Sequence, residues 1–196
     1  MVAEYVQNNG ALASLNMSNN RMLTADAAKA LVGALAANTS LKELDISSNN
    51  WKKYGSYGDW MGDGPGFAKE LAIGLHANRA MVTVNVMGNK IGKEQLSKLQ
   101  EVMQAHPTLV SLCGFADDAT EANLSYLGMD ADDAAVVADE IPAKGALTSL
   151  NISNNAIGGH YSIPGNTYSK FISTPEGPKA IAEALTSNVS LLNQFS

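Results

Sequence analysis

Leucine and its apolar stand-ins recur along this chain at fixed offsets, with small polar residues between them. Gly10-Ala-Leu-Ala-Ser-Leu-Asn-Met-Ser-Asn-Asn20 returns as Ser40-Leu-Lys-Glu-Leu-Asp-Ile-Ser-Ser-Asn-Asn50 and as Gly145-Ala-Leu-Thr-Ser-Leu-Asn-Ile-Ser-Asn-Asn155. The first anchors are Leu12, Leu41, Met81, Leu109, Leu147 and Leu191; further apolar anchors follow at Leu15 and Met17, Leu44 and Ile46, Val84 and Val86, and Leu150 and Ile152. Alternation inside each motif predicts a short strand, because every second residue of an extended chain faces the same side. Asn20, Asn49, Asn89 and Asn155 close the motifs, where a buried amide at a tight turn can bond backbone groups left unpaired.

Between motifs the period changes to that of a helix. Ala27, Leu31 and Leu35 share one face, as do Phe67, Leu71 and Leu75, then Leu96, Leu99 and Met103, then Ala134, Val137 and Ile141, then Ile181 and Leu185. Pro65, Pro175 and Pro178 stand near predicted helix starts; Asn38, Asn78 and Asn188 suit helix ends. Strand and helix alternating in self-similar units predict a solenoid in which each unit buries its apolar face against its neighbours.

Spacing between first anchors is 29 residues from Leu12 to Leu41 and 28 from Met81 to Leu109, but 40 from Leu41 to Met81 and 44 from Leu147 to Leu191. Two units therefore carry insertions, at about 51–63 and 159–174, both after the motif asparagine and so on one rim. Near 109–127 a second motif-like phase, Ala119, Ala122 and Leu124, starts too soon after Leu109 for a helix to intervene. It reads as a truncated unit, with an antiparallel hairpin as the competing reading. The asparagine position there is Asp117 and then Leu127, which interrupts the polar series.

The 28–29-residue period, the strand motif and helices such as Gly177-Pro-Lys-Ala-Ile-Ala-Glu-Ala-Leu-Thr-Ser-Asn-Val-Ser190 resemble the ribonuclease-inhibitor-type leucine-rich repeat. The same repeat occurs in NOD-like receptors and Ran GTPase-activating proteins. The resemblance implies an α/β leucine-rich-repeat solenoid, a horseshoe of about six units with inner parallel β-strands and outer α-helices, forming one domain over 1–196 and holding another protein. The chain begins in the tail of a helix, Ala3 to Gln7, and ends one strand into a new unit, Leu191 to Ser196. Neither terminus shows a polar cap, so the expectation is either a segment of a longer protein or an end-to-end association with another chain through uncapped termini.

Composition narrows the partners. Thirteen basic against nineteen acidic residues give a formal charge of −6, which disfavours nucleic acid and anionic membrane. Cys113 is the single cysteine, so no internal disulfide forms, and a cytoplasmic, intracellular setting is expected. No stretch has the length and apolarity of a membrane span or a signal peptide.

Alternation places Ser14, Asn16, Glu43, Asp45, Thr83, Asn85 and their counterparts on the concave side. Most are small and polar; Glu43, Asp45, Met87 and Phe115 stand out as partner anchors. The insertions are aromatic: Trp51, Tyr54, Tyr57 and Trp60 in the first, His160, Tyr161, Tyr168 and Phe171 in the second. Long aromatic loops on a rigid frame are recognition sites; the alternative is that they fold back over the rim.

No catalytic, cofactor or metal-ligating constellation emerges. Cys113 has no base beside it in sequence, His76, His106 and His160 are scattered, and Asp130-Ala-Asp-Asp133 suits a helix N-terminus better than a calcium loop. The glycines between Gly55 and Gly66 lack the Gly-Lys-Ser/Thr of a phosphate cradle. The reading is a non-enzymatic protein-interaction module, needing no cofactor, that binds a protein through its aromatic insertions and inner face. The alternatives are a regulator that activates a small GTPase and a structural segment of a larger receptor or assembly.

Overall fold

The computed structural model describes residues 2–20, 24–50, 62–162 and 170–192. Helix α1 (Val2–Asn8) leads into β1 (Ser14–Asn16), α2 (Ala25–Ala37), β2 (Glu43–Asp45), α3 (Gly64–Ala77), β3 (Thr83–Asn85) and α4 (Lys93–Ala105). Then come β4 (Glu121–Asn123), α5 (Ala131–Glu140), a 3-10 turn at Ile141–Ala143, β5 (Ser149–Asn151), β6 (Gly159–Ser162), β7 (Lys170–Ser173), α6 (Glu176–Leu185) and α7 (Val189–Leu192). By contact density the chain divides into two units, residues 1–116 and 117–196.

In the first unit β1, β2 and β3 pair in parallel, with Leu15, Leu44 and Val84 in one row, Ser14, Glu43 and Thr83 in the next, and Asn16, Asp45 and Asn85 in the third. The alternation read from sequence is real: Leu44 and Val84 are buried while Glu43, beside them in β2, is exposed. The predicted helical stripes supply the rest of the core, through Leu31 and Leu35, Phe67, Leu71 and Leu75, and Leu96 and Leu99. Each large side chain so buried contributes about 1.5–3 kcal/mol. Helices α2 and α3 lie close because Gly74 carries no side chain; a Cβ there would sit 3.1 Å from Val32 Cα. Helix starts are capped locally: Thr24 Oγ1 accepts from Ala27 N–H at 3.1 Å, and Asp63 Oδ1 from Gly66 N–H at 2.8 Å.

In the second unit β4 and β5 pair in parallel, Ala122 opposite Leu150, and α5 packs on α6. The acidic run before α5 is a capping box: Asp130 Oδ1 accepts from Asp132 and Asp133 N–H, and Asp133 Oδ2 from Asp130 N–H. The end of the second insertion is a hairpin, β6 antiparallel to β7, with Tyr161 opposite Phe171 and His160 opposite Ile172.

Three expectations need correcting. The strands form a three-stranded sheet, a two-stranded sheet and a hairpin, not one inner sheet shared by six units of a horseshoe. Residues 189–192 are helical, where a strand was expected from Leu191 onward, although Leu191 is buried. At 109–127 the two motif-like stretches enter different sheets: Ser111 bridges Thr83 in parallel and Cys113 bridges Asn85, whereas β4 pairs with β5.

Two sets of polar side chains hold the repeats in register. At the strand exits the backbone passes through a left-handed residue, Asn19, Ser48, Gly88 or Asn154, directly before the motif asparagine. The asparagine then bonds its own turn and the preceding repeat. Asn89 Nδ2 donates to the carbonyls of Val86 (2.9 Å) and Ile46 (2.8 Å), while its Oδ1 accepts from Asn49 N–H at 2.7 Å. Asn49 repeats the pattern toward Ile46, Met17 and Asn20, and Asn155 donates to Ile152 and Leu124.

The second set sits where helix returns to strand. Asn38 Nδ2 donates to Asn9 O, Asn78 Nδ2 to Asn38 O, and Asn188 Nδ2 to Lys144 O, at 2.9–3.1 Å. Each Oδ1 accepts from the N–H of the first anchor three residues on, Leu41 and Met81 ahead of strands and Leu191 within α7. Helix ends and strand starts that would otherwise carry orphan groups are thereby satisfied across repeats.

Candidate functional site

The outward rows of β1, β2 and β3 build one surface. Asparagine at the middle outward position bonds its own backbone: Asn16, Asn85, Asn123 and Asn151 each accept at Oδ1 from the N–H two residues on. Asp45 does the same, accepting from Ser47 N–H at 2.9 Å, and its second oxygen takes a 3.3 Å bond from Asn16 Nδ2. Beside it Glu43 is exposed, and no side-chain hydrogen bond holds its carboxylate among the described residues.

A strand-like segment after Leu109 bounds this surface. Val84 and Val86 N–H donate to Ser111 O and Leu112 O, continuing the parallel ladder for one step. Ser111 Oγ then accepts from the N–H groups of Cys113 and Phe115, pulling the chain into a reversal at Gly114, φ +83°. Gly114 passes so close to β3 that a Cβ would lie 2.8 Å from Asn85 Cβ. The result is a groove of about 210 Å³ over the sheet, floored by Leu15 and Leu44, with Glu43 and Asp45 between Ser14 and Asn16 on one side and Thr83, Asn85 and Gly114 on the other.

This reversal corrects two predicted anchors. Met87 and Phe115 are buried, so neither is available to a partner. Alternation had placed them on the outward side, where Ser18 remains partly exposed but the counterpart Ser47 is buried like Met87; near β3 the backbone at Gly114 runs against Asn85. Cys113 is likewise buried. Of the inner-face candidates Glu43 and Asp45 remain, brought together in the groove.

On the second unit, His160 is exposed on β6, and Phe171 and Ile172 on β7 are 49% and 42% exposed. Tyr161 lies in β6 opposite Phe171 in register. Gly159 is required beside them, since a Cβ there would lie 2.6 Å from Phe171 Cζ. Trp51, Tyr54, Tyr57, Trp60 and Tyr168 lie outside the described residues, as do most of the first insertion and the middle of the second.

Elsewhere the surface offers little chemistry. A wider hollow of about 680 Å³ beside α1 is lined, among the described residues, by Glu4, Tyr5 and Asn8 to Ala11, which bring one carboxylate and no convergent polar set. On α4, a 2.7 Å hydrogen bond from Lys98 holds the Glu94 carboxyl below the usual carboxylate range. Among the described residues no group of three or more His, Cys, Asp or Glu is placed to hold a metal ion, and no helix is long and apolar enough to cross a membrane.

Sequence reasoning missed the groove wall at Gly114 and the cross-repeat role of the helix-end residues. The first was signalled only by a glycine after Cys113. The second was signalled by Asn9, Asn38, Asn78 and Asn188, each three residues ahead of a first anchor.

The chain's likeness to known proteins fits this geometry. The family model described as Leucine Rich repeat matches residues 37–50 and 147–159, which contain β2 and β5 with their turns. No curated protein matches the sequence. Among solved structures, the tropomodulin C-terminal domain of Caenorhabditis elegans is similar at 12% identity and a TM-score of 0.50, over 98% of this chain and 94% of that one. Leiomodin-1 actin-binding site 2 is similar at 17% identity and a TM-score of 0.49, over 98% and 90%. The matched motifs coincide with two of the parallel strands and with the asparagines that close them, so over these two segments the chain is similar to leucine-rich repeats.

Proposed function

We propose that the chain is a non-enzymatic protein-interaction module that acts inside the cell and holds a protein partner through the β6/β7 hairpin and the outward face of its strands. The observation that carries this reading is the pair Phe171 and Ile172, two large apolar side chains in succession, both over two-fifths exposed, on a strand packed chiefly against its hairpin partner. Successive strand residues face opposite sides, so each face of the hairpin presents one large exposed apolar side chain, and aromatic anchors dominate interface energies. The aromatic residues Trp51, Tyr54, Tyr57, Trp60 and Tyr168 extend the same role on sequence grounds. Leucine-rich repeats support it further, since their strands place side-chain rows at fixed intervals for a partner to read.

The test is affinity capture from an extract of the source cell, comparing the native chain with the double variant Phe171→Ala, Ile172→Ala. Proteins retained by the native chain should fall about tenfold or more on the variant, with its circular dichroism unchanged. Equal recovery by a folded variant rejects the hairpin as the site.

A further inference from the structure

We infer that the groove over β1, β2 and β3 receives the cationic side chain, lysine or arginine, of an extended segment of the partner, with Glu43 and Asp45 as its counter-charges. This rests on the interaction-module reading and names the chemistry that one part of the surface selects.

Internal comparison of the repeats isolates the charge. The middle outward position needs an Oδ1 to close the strand's exit turn, and asparagine supplies it at Asn16, Asn85, Asn123 and Asn151. Asp45 closes its turn identically. Its second oxygen accepts the long, exposed 3.3 Å bond from Asn16 Nδ2, which leaves its charge otherwise unused among the described residues, and Glu43 beside it is engaged by no side chain of the described residues. Among the described residues no lysine or arginine lines the groove. Two carboxylates facing the same hollow without a counter-ion are a recognition element for a cation.

Two further side chains point to a ligand independently. Thr83 and Asn85 are only 4% and 8% exposed, yet Thr83 Oγ1 and Asn85 Nδ2 have no hydrogen-bond partner among the described residues, and both residues line the groove. Neither atom is sealed from solvent, so both open onto the groove, whereas the amides of Asn38, Asn49, Asn78 and Asn89 are paired within this unit. An ammonium or guanidinium between the carboxylates would donate to Thr83 Oγ1, and the adjoining peptide carbonyl would accept from Asn85 Nδ2. The size agrees: about 210 Å³ accommodates one long side chain and falls short of the roughly 300–1,000 Å³ of small-molecule sites.

The test is a nitrogen-15 NMR titration of the full chain with the capped tripeptide acetyl-Gly-Arg-Gly-amide, with citrulline replacing arginine as the neutral isostere. Amide shifts are expected at Glu43, Asp45, Thr83, Asn85 and Gly114, with the citrulline peptide about fivefold weaker or more. Glu43→Gln and Asp45→Asn should each weaken the response by about the same factor, and Asp45→Asn retains the turn-closing oxygen, so its fold is secure. No response, a response reproduced by citrulline, or one that survives both substitutions overturns the inference. None of these results touches the hairpin-dependent capture, which tests the interaction reading by itself.

Discussion

His106 Nε2 lies 2.7 Å from the carbonyl oxygen of Asn78, one repeat earlier, while its Nδ1 accepts from Leu109 N–H at 2.9 Å and Thr108 N–H at 3.2 Å. Two donors on Nδ1 require its lone pair, so the proton sits on Nε2 and is donated to Asn78. The imidazole thus does what the amides of Asn38, Asn78 and Asn188 do at the other helix ends. His106→Asn should keep the arrangement, with stability within about 1 kcal/mol of the native chain. His106→Ala leaves the Leu109 N–H and Asn78 carbonyl unpaired and should cost about 1–3 kcal/mol. Urea unfolding of the two variants decides it: equal losses would show that the bridge contributes nothing.

The strand-exit asparagines make a graded prediction. Asn89 is fully buried and bonds three backbone groups in two repeats, whereas Asn20 is exposed and, among the described residues, its amide reaches only Ser18 O at 3.0 Å. Asn89→Ala should destabilise the first unit by about 1–3 kcal/mol per group left without solvent. Asn20→Ala should stay within about 0.5 kcal/mol. Hydrogen exchange at Ile46 to Asn49 reports the difference, and comparable protection in both variants would contradict the ladder.

Much of the frame was legible because its determinants are local. Leu44 and Glu43 face opposite sides by strand geometry alone, and the anchors around them repeat three times over. The second hairpin strand, with Phe171 exposed, lies in the insertion that uneven spacing marked. What sequence could not show depends on residues far apart along the chain. Met87 reads as outward from its own strand, and only the approach of Gly114 to Asn85 reveals that this side is closed. His106 reads as a helix-end histidine, but its acceptor belongs to a residue 28 positions earlier. Likewise the strand motifs recur from end to end, while the pairing that divides them among separate sheets is decided near Asp117, where the helix is missing.

In the second unit a charge replaces the amide. Lys144 stands at the helix-end position that asparagine fills elsewhere, is 1% exposed, and its Nζ meets Asp117 Oδ1 at 2.6 Å; Asp117 is 63% exposed. The asymmetry in burial sets the outcome of removing either partner. Asp117→Ala takes the counter-charge from a buried ammonium and should cost about 1.5–3 kcal/mol. Lys144→Met keeps the aliphatic stem and leaves a carboxylate that water reaches, so its cost should be about 1 kcal/mol or less. Hydrogen exchange within 117–162 measures both; a larger loss from Lys144→Met would mean that the ammonium's other contacts outweigh Asp117.

Gly114 should control the closed side of the groove. Its φ of +83° is unfavourable for any other residue, and a Cβ would press on Asn85 at 2.8 Å. Gly92 is the control, since its φ is +80° but a Cβ there meets nothing within 4 Å. Both Gly→Ala variants therefore carry backbone strain of about 1–3 kcal/mol, and only Gly114→Ala also forces the reversal away from β3. Cys113 lies inside that reversal and is buried, so its thiol reports the opening. Labelling of Cys113 by a small disulfide reagent should accelerate roughly ten- to a hundredfold in Gly114→Ala, and change little in Gly92→Ala. The same variant should expose Met87 and Phe115 and widen the groove beside Asn85, so that a faster thiol and an altered arginine-peptide response appear together. Equal labelling in the two variants would mean that general destabilisation, rather than contact with Asn85, governs access to this face.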